Sequence, residues 1–319
     1  MKYVDMHCDT ITKLYENKED LYQNDLHIDI TKMKKGECLL QNFAIFTNID
    51  NQDSKFTKAC IDYYYHQLDK NKEFIKPVYK YEDIAKNEKD GFINAMLTLE
   101  DGSVIDNNLD NLKWYYDKGV RMITLTWNHV NGIGYPNFWP KKEPYDLCQT
   151  NNVEGLTDFG IEFLRKCEEL GIIIDVSHLS DKGFFDVLNN TTKPFVASHS
   201  CARSICKAAR NLTDEMIVNL AKKGGVVGLN YCAAFIEDHN ETMTTIENMV
   251  KHINHIVKIG GIDVIGLGSD FDGIDNQLEI VDCSGMQLLY YALKKYYSDD
   301  DIEKIFYKNV LRVYKECLK

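Results

Sequence analysis

Near the start of the chain, a largely apolar run from Tyr3 delivers His7 and Asp9 on either side of Cys8. On a β-strand the side-chain period is two, so His7 and Asp9 project together and Cys8 projects the other way. An imidazole and a carboxylate leaving the end of a strand together make half of a hydrolytic metal site. Alone the pair is ordinary, because a surface His and Asp at this spacing occur in many proteins. Later runs repeat the arrangement: Ala95–Leu99 runs into Glu100, Ile174-Asp175-Val176-Ser177 into His178, Val196-Ala197-Ser198 into His199, and Gly268-Ser269 into Asp270. Each polar group breaks an apolar run at its last residue or two, where a charge is costly to bury without a partner.

These donors suggest a metal count. Three histidines and two carboxylates, with Asp270 held back, are too many for one four-coordinate zinc and suit a two-metal site with a bridging carboxylate. Glu100 is the natural bridge, since its strand arrives between the His7/Asp9 pair and the His178/His199 pair. Imidazole with carboxylate favours Zn²⁺ over Mg²⁺ or Ca²⁺, and the same donors also accept Mn²⁺, Co²⁺ or Fe²⁺. His129 follows the fourth apolar run and lies on the same face. His27, His66, His239, His252 and His255 lie in polar or helical surroundings and read as surface or packing residues.

Eight strand-length apolar runs must position these residues: Tyr3–Asp9, Leu39–Phe46, Ile93–Glu100, Met122–Trp127, Ile172–His178, Pro194–His199, Val226–Tyr231 and Val264–Asp270. Amphipathic segments lie between them, at Lys55–Phe74, Leu109–Lys118, Asp158–Leu170, Asp181–Leu188, Asp214–Lys223, Thr244–Ile259 and Met286–Tyr297, with a last helix at Asp300–Cys317. Thr157 and Thr213 precede acidic first turns, and Gly119, Gly171, Gly224 and Gly260 close helices. Strand–helix alternation implies a parallel sheet with right-handed crossovers. Eight units without a break predict a closed (β/α)8 TIM barrel of the metallo-dependent hydrolase type, one domain over residues 1–319, with functional residues at the C-terminal strand ends. A doubly wound open sheet is the alternative, but it usually has fewer strands and a Gly-rich first turn, which is missing. The long segment Asn128–Glu154, with Tyr135-Pro136-Asn137-Phe138-Trp139-Pro140, reads as a pocket cover or a plain surface excursion.

The chain has 319 residues, 37 basic and 49 acidic, for a formal charge of −12. That balance argues against nucleic acid or an anionic membrane as the main partner. No stretch approaches the roughly 18 apolar residues of a membrane span, and a candidate ligand at residue 7 leaves no room for a signal peptide. The ten cysteines are scattered without a C-x-x-C pair, and Cys38, Cys60, Cys167 and Cys317 read as buried thiols. The expected location is the cytoplasm.

The pattern as a whole resembles the renal, or membrane, dipeptidases, dinuclear zinc metallopeptidases on an amidohydrolase-like TIM barrel. The resemblance covers essentially the whole chain and rests on Asp5-Met6-His7-Cys8-Asp9, Leu99-Glu100-Asp101-Gly102, Asp175-Val176-Ser177-His178, Ser198-His199-Ser200, Ala209-Arg210-Asn211 and Gly268-Ser269-Asp270-Phe271-Asp272-Gly273, in the family's order. It implies two Zn²⁺ ions, one on His7 and Asp9 and one on His178 and His199, with Glu100 between. It further implies Asp270 as acid/base carboxylate, Arg210 as the clamp for the substrate's terminal carboxylate, Tyr231 in the same pocket, dipeptide substrates, and a homodimer as a common assembly. One departure stands out. Mammalian members carry a histidine after the Leu-Thr of strand four, thought to hold the scissile carbonyl oxygen, whereas here Trp127 follows Leu125-Thr126; His129 is the candidate substitute.

The expected reaction is hydrolysis of a dipeptide with a free C-terminal carboxylate by a hydroxide bridging two zinc ions, which lower the pKa of the shared water. Asp270 would move the proton from water to leaving amine, and Arg210's planar fork suits a carboxylate. Two alternatives stay open: a related amidohydrolase acting on N-acyl amino acids or lactones, and a non-catalytic metal-binding barrel. Side-chain and L/D preference, native metal and oligomeric state are not legible.

Overall fold

The apolar runs assemble as a closed ring. In the computed structural model, which describes residues 1–48, 52–137, 146–239 and 242–319, eight strands pair in parallel. They are β1 (Tyr3–Asp5), β2 (Cys38–Phe46), β3 (Ile93–Glu100), β4 (Val120–Thr124), β5 (Ile173–Asp175), β6 (Val196–Ser200), β7 (Val226–Leu229) and β8 (Ile265–Leu267). Each pairs with the next, and β8 closes on β1 through Leu267 and Asp5. This is the (β/α)8 barrel. The strands are buried on both faces, one toward the barrel axis and one toward the helices, which is why they read as unbroken apolar runs.

Helices cover the ring at Ser54–Lys70, Leu109–Asp117, Asp158–Leu170, Asp181–Asn190, Asp214–Lys222, Ile246–Gly260 and Asn309–Cys317. The threonine caps form as expected: Thr157 accepts from the Gly160 N–H and Thr213 from the Met216 N–H. Gly119, Gly171 and Gly224 take positive φ. Gly260 instead remains helical, and the left-handed turn falls on Gly261, at φ 86°. The segment Met286–Tyr297 supplies a shorter helix, Gln287–Leu293, and the last helix is broken by a π-turn at Lys304–Lys308. From the final helix, Tyr314 reaches the Asn42 side chain on β2 at 2.7 Å.

Several elements have no counterpart in the periodicity. Helices at Thr10–Asn17, Ile30–Gly36 and Tyr81–Lys89 are short and polar; in the last only Ile84 and Asn87 are buried. A strand at Ile75–Pro77 pairs with the start of β3 outside the ring, and Met243–Thr244 pairs with Gln277–Leu278. Strand lengths also differ. β1, β5 and β8 end before the polar residues expected at the site, so His7, His178 and Asp270 lie in the turns that follow, where the chain bends over the barrel mouth. Phe138–Pro140 of the aromatic segment after β4 lies outside the described residues. No helix among the described residues is long and apolar enough to cross a membrane.

At the active end, His252 of the helix Ile246–Gly260 is fully buried, accepting from the Ala202 N–H at 3.1 Å and facing the Ile236 carbonyl at 2.8 Å. It ties the loop after β6 to the loop after β7. Burial pushes its pKa down to about 4. The folded protein holds it neutral while the unfolded chain protonates it below about 6.5, so its contribution is complete above pH 6.5 and is lost as pH falls toward 4. The full difference is worth about 3 kcal/mol. Urea unfolding should show wild type more stable than His252→Gln at pH 7, with the gap closing by pH 4.5.

Candidate active site

The expected ligands and Asp270 converge over the barrel mouth although they come from five strands. Glu100, the last residue of β3, divides its carboxylate between two groups of imidazoles. Its Oε2 lies 3.7 Å from His7 Nε2, and its Oε1 lies 2.9 Å from His178 Nε2 and 3.5 Å from His199 Nε2. His7 Nε2 is also 3.4 Å from Asp9 Oδ2 and 3.8 Å from Asp270 Oδ1. The two facing nitrogens of His178 and His199 are only 3.1 Å apart. All six side chains are buried. Cys8 faces away, with its Sγ 3.3 Å from the Asn42 carbonyl. The chain stays extended through Cys8, which bridges to Phe271, and this keeps His7 and Asp9 on one side.

Two backbone features make the convergence possible. His178 and Asp270 take positive φ, 70° and 62°, as do the neighbouring Asp101 and Asp272. Such strain in non-glycine residues persists only where the surroundings enforce it. A Cβ on Gly273 would collide with Asp9 Oδ2 and Asp270 Oδ1, so the backbone there lies directly against the cluster.

Buried polar groups behind the cluster fix the side chains. Asp175, at the end of β5, accepts from the Thr124 hydroxyl (2.6 Å), the Ser198 hydroxyl (2.6 Å) and the Ser198 and Ser177 N–H groups. Ser198 Oγ in turn lies 2.7 Å from His199 Nδ1. Asp5, at the end of β1, accepts from the Ser269 N–H and hydroxyl and from Gln41. Asn230 donates to Asp270 Oδ2 at 2.9 Å, and His178 Nδ1 lies 2.7 Å from Asn128 Oδ1. With their Nδ1 atoms occupied in this way, His178 and His199 present Nε2 as the free donor.

The electrostatics are those of a site short of positive charge. Burial opposes protonation of His7, but Glu100 and Asp9 outweigh it and hold the imidazole well above its usual pKa. Burial and the Arg210 charge press His178 down to about 4, and burial and His7 push His199 well below its usual value. Burial raises Asp270 to about 7, helped by Asp9 and Glu100 and opposed by His7. Both ring nitrogens of His7 and Asp9 Oδ1 are buried without a hydrogen-bond partner. His7, Glu100 and His199, and likewise His7, Asp9 and Asp270, each offer ligand atoms within 4.8 Å of one another. This donor set fits divalent cations of the zinc type.

A cavity of about 490 Å³ opens above the cluster, within the range of small-molecule sites. Asp9, Glu100, His178 and Asp270 line its floor, Phe46, Trp127, Phe235 and Ile274 its walls, and Glu16, Asp272 and Asp275 its acidic side. Trp127 packs on Phe46 with centroids 4.9 Å apart. Arg210 is buried, near the Phe235 ring (5.3 Å) and the His199 carbonyl (3.1 Å), with its Nε unpartnered. A network beside it, Arg203 paired with Asp181 and Asn137 bonded to Asp181 and the Ala209 carbonyl, sets the course of its loop.

None of the three expected substrate contacts is on this cavity lining: Arg210 lies behind it, next to Phe235, which does line it. His129 turns to Asp101, its Nε2 2.6 Å from the buried Oδ2. Tyr231 is fully buried against Phe271, its hydroxyl 3.6 Å from Met286 Sδ. Asn128 and Asn230 were not singled out from the sequence, and Gly273 entered only as the last residue of the motif around Asp270. Asn128 did carry one signal, its place just beyond β4.

Comparison with known proteins identifies the family and supports the fold. The sequence profile described as membrane dipeptidase, peptidase family M19, matches residues 1–318. The chain belongs to this family of metallo-dipeptidases. An uncharacterized dipeptidase of Schizosaccharomyces pombe is 30% identical over 318 residues, covering 92% of this chain and 74% of that protein. An uncharacterized Klebsiella pneumoniae protein from the pqqA 5′ region is 33% identical over 238 residues, 73% of this chain and 85% of that one. Among solved structures, dipeptidase AC, an M19 metallopeptidase, superposes with a TM-score of 0.89 at 23% identity, covering 100% of this chain and 99% of that one. A Rhodobacter sphaeroides metallopeptidase bound to a phosphinate mimic of L-Ala-D-Ala gives 0.88 at 23%, covering 99% of each chain. At that identity the likeness establishes the barrel.

Two substitutions test the construction of the site. Ser198→Ala removes the partner of His199 Nδ1 and should weaken metal binding about 10- to 100-fold in a chelator competition. Gly273→Ala should lower metal occupancy, measured by mass spectrometry of the bound ions, while circular dichroism stays that of the wild type.

Proposed function

We propose that the protein is a dipeptidase that holds two divalent cations, zinc by the chemistry of the donors, and cleaves dipeptides carrying a free C-terminal carboxylate. His7 and Asp9 would hold one ion, His178 and His199 the other, with Glu100 between them. The observation that carries this reading is the division of Glu100, one oxygen toward His7 and the other toward His178 and His199. When bound, such a pair of ions supplies Lewis-acid polarisation of a carbonyl and lowers the pKa of water to give a nucleophile near neutral pH.

The chain's own residues then have defined work. Asp270 lies on the His7 side of the cluster, held by Asn230, where it can take the proton of the attacking water. It returns that proton to the amine nitrogen as the C–N bond breaks. Its raised pKa in the bare cluster shows how strongly its surroundings resist a further negative charge, and cations beside it draw the value down. Arg210 is a buried guanidinium with no carboxylate of the described residues in contact. A buried unpaired cation is costly, and a substrate carboxylate would compensate it. The clamp also limits length, because a longer peptide places an amide where the carboxylate belongs. The unpaired state of all ten cysteines supports a reducing, cytoplasmic setting.

A panel of L,L and L,D dipeptides with metal-replete protein tests the reading. Amino acids should be released, and Asp270→Asn should lower kcat by about 10²- to 10⁴-fold. Arg210→Ala should cost far more on a dipeptide than on its C-terminal amide. Equal losses on both would remove the clamp, and stoichiometric metal without turnover of any amide would favour a non-catalytic barrel.

A further inference from the structure

We propose that Asn128 is a catalytic residue whose side-chain N–H₂ donates a hydrogen bond to the oxygen of the scissile carbonyl as it becomes an oxyanion. This rests on the dipeptidase reading above and goes beyond it by assigning a residue to the carbonyl oxygen.

The assignment follows from hydrogen-bond accounting. His178 Nε2 converges with His199 Nε2 at 3.1 Å and Glu100 Oε1 at 2.9 Å, so it is the nitrogen that serves as a metal ligand. A ligand nitrogen carries no proton, which leaves the proton on Nδ1. Nδ1 is 2.7 Å from Asn128, and an N–H there requires the amide oxygen opposite it. The Asn128 amide is thereby oriented by chemistry. Its Oδ1 is spent on His178, and its Nδ2, on the diverging branch, has no acceptor among the described residues. Asn128 lines the cavity together with Glu100, His178 and Asp270.

Position then decides what that donor serves. Asp9 and Asp270 sit on the His7 side of Glu100, with Asp270 Oδ1 3.8 Å from His7 Nε2. An oxyanion developing beside those carboxylates would be repelled. Turned to the His178 side, the oxygen meets the free Asn128 amide while the leaving nitrogen faces Asp270. One amide thus holds a metal ligand by its oxygen and stabilises developing charge by its nitrogen, a preorganised donor of the kind that contributes most when water is excluded. Trp127, packed against Phe46 and 6.1 Å from the His178 ring, walls that side.

The test separates the two branches. Wild type, Asn128→Asp, which keeps the acceptor and loses the donor, and Asn128→Ala, which loses both, are reconstituted with Zn²⁺ and their bound metal is counted. Turnover of a dipeptide is expressed per occupied metal pair, and inhibition is measured with a phosphinate analogue of alanyl-alanine, whose tetrahedral oxygens mimic the oxyanion. In both variants kcat per metal pair should fall about 10²-fold with KM within about threefold, and the phosphinate Ki should rise by the same factor as kcat falls. The proposal is overturned if kcat per metal pair and Ki stay within about threefold of wild type. In that case any lost activity is lost metal, and Asn128 only orients His178. A fall in kcat without a matching rise in Ki overturns it equally. Wild type that holds its metals yet hydrolyses no dipeptide sinks the dipeptidase reading instead, so the two failures are read from different samples.

Discussion

The protein is organised around the cost of burying like charges. Asp9, Glu100 and Asp270 are brought into one pocket with three imidazoles, and the buried guanidinium of Arg210 touches none of these three carboxylates. Such a cluster must acquire positive charge or lose its negative charge. Both responses follow from the surroundings: Glu100 and Asp9 favour the protonated form of His7 against its burial, and burial with Asp9 and Glu100 favours the neutral form of Asp270. Divalent cations held by these donors would relieve both at once.

That tension has to be contained mechanically, and the containment is built from two further carboxylates below the cluster. Asp5 grips Ser269, the residue before Asp270, and Asp175 grips Ser198, the residue before His199. Each anchors the strand end next to its own, so the ring of strands is tied together at the level where the ligands emerge. Asp175 is held below its usual range despite burial, by the charge of His199 and by its hydroxyl and N–H donors. The strained backbone at His178 and Asp270 is affordable because these tethers and the closed barrel leave those turns nowhere else to go.

The barrel and the polar residues that gather at its mouth were legible early because both leave local marks. Strands buried on two faces produce unbroken apolar runs, and a ligand at a strand end breaks the run with one polar residue. Short elements such as Tyr81–Lys89 and Ile75–Pro77 left no such mark, since they bury few side chains and their position is dictated by contact with β3. His129 and Asn128 show the limit most clearly. Both follow β4, and only His129 was expected at the pocket, yet His129 turns to Asp101 and Asn128 to His178.

By itself, then, the amino-acid order determined that eight strands alternate with helices and that His7, Asp9, Glu100, His178, His199 and Asp270 stand at their ends, because period and interruption are properties of neighbouring residues. Only the tertiary structure decided which oxygen of Glu100 meets which imidazole, which histidine nitrogen faces the cluster, and that Arg210 is buried without a counterion among the described residues. Those facts are distances between residues tens to hundreds of positions apart. They depend on how closing the ring sets each strand's height and turns its last side chain inward.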